Sequence, residues 1–188
     1  AAADALYAAG VPDDVLQVVR TDEDEAGQHL VSHDDVDTVV LTGASETAAL
    51  FAGWRTGRAG GPRVYGETSG KNALVITPSA DLDLAVADLV QSAFGHAGQK
   101  CSAASLAILV GSVGRSERFR RQLVDAVRSI RVGYPGDLST RMGPLIEPPG
   151  DKLRRALTTL EPGETWLVEP RQLDDTGRLW SPGLREGV

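Results

Sequence analysis

The sequence holds one cysteine in 188 residues, so no disulfide can close within the chain and no four-thiolate metal site can form. Positive charge is also short. Nineteen Lys and Arg stand against 26 Asp and Glu, for a formal net charge of -7. A nucleic acid or an anionic membrane needs a basic face, so neither is an expected partner. A local basic pocket for an anionic cofactor stays compatible with that balance. Long apolar runs are missing too. The longest is Leu106-Ala107-Ile108-Leu109-Val110, far short of the roughly 20 residues a membrane helix needs. The opening Ala1-Ala2-Ala3-Asp4 has no basic start and no apolar stretch, which excludes it as a signal peptide. Three scattered histidines, His29, His33 and His96, have no acidic or thiol partners at ligand spacing, so no metal site is expected.

What is present suffices for a packed core, with 41% hydrophobic residues. The balance predicts a cytoplasmic protein, in which a lone thiol is either inert or reactive.

Short β-branched runs alternate with helical patterns, which predicts an α/β fold. Ala3 to Ala9 reads as a helix already under way, and His29 and His33 fall on a short surface helix. Val36–Leu41 reads as a strand, Thr42–Ser45 as a turn, and Glu46 to about Thr56 as a helix with Leu50, Phe51 and Trp54 at helical spacing. Gly57, Gly60, Gly61 and Pro62 break the chain. Arg63–Tyr65 and Ala73–Ile76 are expected strands. Asp81 to Phe94 is an expected helix, with Leu82, Val86, Leu89, Val90 and Ala93 on one face and Asp81 and Asp83 at its positive end. Leu106–Val110 reads as a buried strand. Ser116–Arg131 reads as an amphipathic helix with Phe119, Leu123, Val127 and Ile130 inward, and Asp151–Leu160 as a shorter one. Gly143-Pro144 is an expected turn, and Pro148-Pro149-Gly150 marks a helix boundary. Trp166–Glu169 is the last expected strand, and the segment Leu179–Val188 ends with no capped element. Both termini read as cuts through a longer protein.

Two segments carry chemistry. Gly95-His96-Ala97-Gly98-Gln99-Lys100-Cys101-Ser102 follows the Asp81–Phe94 helix. Its glycines make an approach loop that can aim a thiol into a cleft, and Lys100 sets a cation beside it, which favours the thiolate. Taken alone, Cys101 is as readily a buried, inert core residue. Gly66-Glu67-Thr68-Ser69-Gly70-Lys71-Asn72 is the second segment. A glutamate on a glycine-flanked loop can swing, which suits a base needed at one step only. Taken alone, it is more readily a loop carboxylate paired with Lys71. Thr42–Ser45, alone, is an ordinary capped strand-to-helix turn.

Together, Gly-Glu-Thr-Ser-Gly-Lys-Asn and Gly-Gln-Lys-Cys-Ser, with Glu67 and Cys101 34 positions apart, resemble the aldehyde dehydrogenase superfamily. Leu6–Pro12 with Val15–Val19, Val36–Ser45, Val132–Asp137 and Met142–Ile146 are similar to further signatures of that family, in the same order. Within it, Glu67–Asn72, Gly98–Ala103 and Leu179–Gly183 look most like the 1-pyrroline-5-carboxylate (L-glutamate γ-semialdehyde) dehydrogenases. These include the dehydrogenase part of bifunctional proline-utilisation enzymes.

The resemblance implies that residues 1–68 are the C-terminal part of a Rossmann-type NAD(P)-binding domain. Residues 69–188 would be the N-terminal part of the α/β catalytic domain. It implies Cys101 as nucleophile, Glu67 as general base and Ser102 as a substrate contact. Cofactor contacts would come from Thr42, Gly43, Ala44, Ser45, Thr68 and Ser69, with NAD, or NADP, as acceptor. Two departures stand out: Ala44 where many relatives have serine, and Ser69 where glycine is common. His96 is not the base this family uses. The family's oxyanion asparagine, its ribose-binding lysine and its Glu-x-Phe-Gly-Pro run have no counterpart in the chain. The 188 residues alone are therefore expected to bind NAD poorly and to lack dehydrogenase activity. The whole protein is expected to be a homo-oligomer acting on a small aldehyde, with a fused proline dehydrogenase domain as one arrangement. Three alternatives stay open: a different aldehyde branch, a non-catalytic structural fragment, and a thiol acyl-transfer chemistry without nicotinamide.

Overall fold

The computed structural model describes residues 1–21, 25–54 and 63–188. The glycine-rich break at Gly57, Gly60, Gly61 and Pro62, and the expected helix end at Thr56, lie outside the described residues. The chain divides into two compact units, Ala1–Ser69 and Gly70–Val188.

The first unit contains α1 (Ala2–Ala8), α2 (Glu25–Ser32), β1 (Thr38–Gly43), α3 (Ser45–Gly53) and β2 (Arg63–Thr68). The strands β1 and β2 pair in parallel, from Thr38 opposite Arg63 to Gly43 opposite Thr68. Alternation sets the faces: Val39 and Leu41 are half-buried while Val40 between them is 71% exposed. The alanine-rich α3 follows β1, helped by its strong helix formers Ala48, Ala49 and Leu50. Gly66 lets α3 come close to β2. A Cβ there would lie 3.4 Å from the Ala48 Cβ. His29 lies on α2, but His33 falls just past its end, half-buried, with its ring edge-on to His29 at 4.9 Å. None of the described residues of this unit is buried.

The strand bounds correct the sequence reading at two functional places. The first strand extends through Thr42 and Gly43, so these two are strand, not turn. The second extends through Thr68, so Glu67 sits on a strand rather than on a swinging loop. The reason is cooperative. Each of these residues is held by the parallel ladder, which outweighs the loop preference of Gly43 and Gly66.

The second unit contains β3 (Asn72–Ile76), α4 (Leu82–Phe94), β4 (Ala104–Leu109), α5 (Glu117–Arg128), α6 (Asp151–Thr158), β5 (Thr165–Val168) and β6 (Leu184–Glu186). Strands β3 and β4 pair in parallel around α4, while β5 and β6 pair antiparallel. Asp81 caps α4: its carboxylate accepts from the Asp83 and Leu84 N–H groups at 2.9 and 3.1 Å. Ser116 caps α5 by accepting from the Phe119 N–H at 3.2 Å. Ile76, Val86, Leu89, Ala104, Val113, Phe119, Leu123 and Val127 form one buried core between the sheet and the two helices. The helix faces expected from periodicity are the ones inside, except that Ile130 lies beyond the end of α5 and is half-buried. Asp83 ties the helices together, accepting from Arg118 at 2.7 Å and Gln122 at 2.9 Å. Those donors hold its carboxyl below the ordinary aspartate range, Gln122 contributing most.

Gly150 precedes α6, as the Pro148-Pro149-Gly150 boundary predicts. Gly143-Pro144 forms no turn. It runs on from a bridge between Val132 and Met142. The end of the chain is also corrected. Leu184–Glu186 is a strand, paired with β5 and fastened by Glu186 to Arg120 at 2.6 Å. Its short sequence carries too few alternating residues to announce itself, and the pairing is what makes it a strand.

Candidate active site

The thiol loop begins where α4 ends. Gly95–Gly98 forms a 3-10 turn in which His96 and Ala97 take φ values of 54° and 55°, followed by Gly98 at 70°. Side chains with a Cβ rarely occupy this left-handed region, and each such residue costs roughly 1–2 kcal/mol. Two clamps hold the turn against relaxation. Upstream of the thiol, the Gln99 amide donates to the His96 and Pro144 carbonyls at 3.1 and 3.2 Å. Its oxygen accepts from the Ile146 N–H at 2.9 Å. Downstream, the Asn72 amide nitrogen donates to the carbonyl oxygens of Cys101 at 2.6 Å and Ala103 at 3.2 Å.

Between the clamps, Cys101 and Ser102 are exposed, and the chain dives inward at Ala103 and Ala104. The Ala104 N–H donates to the Ser92 hydroxyl at 3.2 Å, joining the start of β4 to α4. A buried, inert thiol is therefore not what the fold makes. It makes an accessible sulfhydryl on a loop anchored at both ends.

In the first unit the other candidate residues gather at one end of the sheet. Thr42 pairs with Glu67 and Gly43 with Thr68 at the carboxyl ends of the two parallel strands. Glu67 is exposed and Thr68 half-buried. Ala44 caps α3 without a side-chain hydrogen bond, and Ser45 is its first residue. The Ser45 hydroxyl donates to the Ser69 carbonyl at 3.2 Å, tying the helix start to the end of β2. The carboxyl end of a parallel sheet, beside a helix N-terminus that no side chain caps, fits the phosphates of a dinucleotide. Ala44 itself supplies no side-chain cap to α3.

Ser102 shares the loop of Cys101 and is exposed. Asn72 and Gln99 lie within the two chemical segments, and the sequence alone assigns neither a role. The signal for Asn72 was faint, an amide at the first position of a strand, where a hydrophobic residue would be ordinary. A cleft of about 460 Å³ lined by Arg128, Trp166, Leu167, Val168, Glu169, Arg171, Ser181 and Pro182 contains none of the candidate residues.

Residues 1–182 match the model of the aldehyde dehydrogenase family. The chain is 36% identical over 149 residues to the 1-pyrroline-5-carboxylate dehydrogenase of Geobacillus sp. (strain WCH70), covering 77% of this chain and 28% of that protein. It thus spans little more than a quarter of such a relative's length. Among solved structures, proline utilization A from Corynebacterium freiburgense is 60% identical, with a TM-score of 0.89 over 100% of this chain and 19% of that one. The betaine aldehyde dehydrogenase of Staphylococcus aureus, solved in complex with NAD+, is 27% identical with a TM-score of 0.83, covering 97% of this chain and 37% of that one.

Proposed function

The chain belongs to the aldehyde dehydrogenase family, and from that membership we propose that it supplies the nucleophile, Cys101, and the general base, Glu67, of an NAD(P)-dependent aldehyde oxidation. The substrate proposed is L-glutamate γ-semialdehyde, the open form of 1-pyrroline-5-carboxylate, and the product is glutamate. The likeness to a 1-pyrroline-5-carboxylate dehydrogenase and to proline utilization A supports that branch. The observation that carries the reading is the exposed Cys101, the only thiol, on a loop held by Gln99 and Asn72.

The steps follow from the side chains. The Cys101 thiolate attacks the aldehyde carbon and forms a thiohemiacetal, with the Cys101 backbone N–H as one donor to its oxyanion. NAD, held by Thr42, Gly43, Ala44, Ser45, Thr68 and Ser69, supplies the hydride acceptor. Loss of the hydride leaves a thioester on Cys101. Glu67 then takes a proton from the water that attacks the thioester carbonyl, releasing the carboxylate and the free thiol. Ser102 holds the substrate beside the sulfur.

Residues 1–68 act in this scheme as part of the cofactor domain and 69–188 as part of the thiol domain. The reaction belongs to a polypeptide of the relatives' full length, assembled as a homo-oligomer, with fusion to a proline dehydrogenase as the arrangement favoured by the proline utilization A likeness. The 188 residues alone are inactive in this reading. The absence of any buried residue among the described part of the first unit supports that, because a cofactor domain must hold its strands rigid.

The test compares NADH formation from glutamate semialdehyde and from simple aliphatic aldehydes by the full-length protein, its Cys101→Ala variant and the 188-residue chain. Turnover selective for the semialdehyde, abolished by Cys101→Ala and missing from the short chain, is expected. Unchanged turnover in Cys101→Ala removes the mechanism. Equal rates on both aldehydes remove the substrate. A robust NADH signal from the short chain removes the claim of inactivity.

A further inference from the structure

We infer that Asn72 is a positioning residue for the nucleophile, an inference that rests on the reading of Cys101 as the reacting thiol. One side-chain nitrogen, with two protons to give, meets two carbonyl oxygens that flank Ser102: Cys101 at 2.6 Å and Ala103 at 3.2 Å. Its donor capacity is thereby filled. A peptide carbonyl and its N–H point in opposite directions across a trans bond. Fixing the Cys101 carbonyl therefore fixes the whole Cys101–Ser102 peptide, and with it the backbone from which the sulfur projects.

The backbone around Asn72 serves this contact. The pairing of β3 with β4 shifts between Asn72, opposite Ala104, and Ala73, opposite Leu106. The extra residue is Ser105, whose hydroxyl donates to the Asn72 carbonyl at 3.4 Å. The irregularity leaves Ser105 of β4 without a ladder partner opposite Asn72, a kind of feature that is common beside functional sites. The Ala103–Ala104 peptide is then held on both sides, by Asn72 at its carbonyl and by Ser92 at its N–H. On the other side of the thiol the backbone is in the left-handed region at His96, Ala97 and Gly98, a conformation that relaxes unless its surroundings prevent it. On the downstream side, Asn72 is the side chain that holds the Cys101 carbonyl itself. It has no counterpart that could replace it with the same geometry: an aspartate of equal size would set carboxylate oxygens against two carbonyl oxygens, and an alanine would leave both to water.

The test uses the full-length enzyme with Asn72→Ala and the isosteric Asn72→Asp, measuring the pre-steady-state NADH burst, KM for NAD, the melting temperature, and alkylation of Cys101 by iodoacetamide followed by peptide mass spectrometry. A misplaced reacting atom costs on the order of a hundredfold, so the burst rate is expected to fall roughly thirtyfold or more in both variants. KM for NAD and Cys101 alkylation should stay within about threefold, because the thiol remains accessible and only its aim is lost. A purely structural asparagine would lower the melting temperature and leave the burst rate of the folded enzyme unchanged. Asn72→Asp keeps the strand packing should Asn72→Ala fold poorly. A burst within threefold of the parent in the folded variants overturns the inference, as does a loss of alkylation in step with the burst. If Cys101→Ala keeps its burst, the thiol reading itself fails. If Cys101→Ala loses the burst and the Asn72 variants keep it, only the positioning role fails.

Discussion

Thr42 and Glu67 are register partners across the two parallel strands of the first unit, each one residue from the carboxyl end of its strand. Paired residues of a parallel ladder project to the same face, so the proposed base and a proposed cofactor contact leave the sheet together. That arrangement fits a carboxylate that acts after the hydride has gone, from beside the cofactor rather than from a free loop.

Glu67→Gln in the full-length enzyme tests the order of events. General-base catalysis contributes roughly 10²–10⁴-fold, so steady-state turnover should fall by that range. The first-turnover burst should persist, since thiohemiacetal formation and hydride loss need the Cys101 thiolate and bound NAD but not Glu67. Mass spectrometry should then show an acylated Cys101 peptide accumulating. A burst that falls as far as turnover would place Glu67 at an earlier step.

The strained thiol loop yields a stability test that needs no substrate. Ala97 sits at φ 55°, and Ala97→Gly should stabilise the second unit by about 1 kcal/mol, left-handed strain relief exceeding the entropy cost of the glycine. Gly98→Ala should do the reverse. It adds a Cβ at φ +70° and within 3.1 Å of the Ala93 carbonyl oxygen, which belongs to the helix end and cannot move aside. Urea denaturation of both variants against the parent reads the signs, and equal midpoints for the three proteins would mean the loop carries no strain.

These cases show where the sequence is informative. The helix of Leu82–Phe94 was legible because Asp81 announces its start and apolar residues recur on one face. The helix of Glu117–Arg128 was legible for the same reasons, with Phe119, Leu123 and Val127 buried as expected. The α/β alternation and the family membership were also readable. Glu67 misled, because glycine, threonine and serine around it signal a loop, while the decisive fact was the partner strand many residues upstream. Leu184–Glu186 was invisible for a similar reason. Asn72 could be quoted but not interpreted, since its two acceptors are backbone carbonyls, and any residue supplies a backbone carbonyl.

Acid should loosen the second unit through Asp174. The Tyr134 hydroxyl donates to this carboxylate at 2.5 Å and is the main reason its pKa lies below the usual aspartate value of 3.8, with Thr176 and Leu179 helping. The folded pKa is depressed, so the contribution is complete above the unfolded value and is lost as pH falls through the folded one. Tyr134→Phe should therefore lower the melting temperature at neutral pH, and its difference from the parent should shrink as pH drops below about 4. A difference that is constant from neutral to strongly acidic pH would mean that packing of the ring, rather than the hydrogen bond, is what the substitution removed.

Neighbouring residues of β3 give the sharpest test of the core. Ile76 is 1% exposed and packs with Val86, Leu89 and Phe119, whereas Val75 is 57% exposed on the opposite face. Ile76→Ala removes buried methyl and methylene groups from the core between the sheet and the two helices, and should cost roughly 2–5 kcal/mol. Val75→Thr keeps the β-branch that suits a strand and exchanges an exposed methyl for a hydroxyl, so it should stay within about 0.5 kcal/mol. The open face pairs Ala73 with Leu106 and Val75 with Ile108, so nothing on it depends on burial within these residues. Denaturant midpoints of the two variants measure the contrast directly. A cost at Val75 comparable to that at Ile76 would mean that this face is covered in solution.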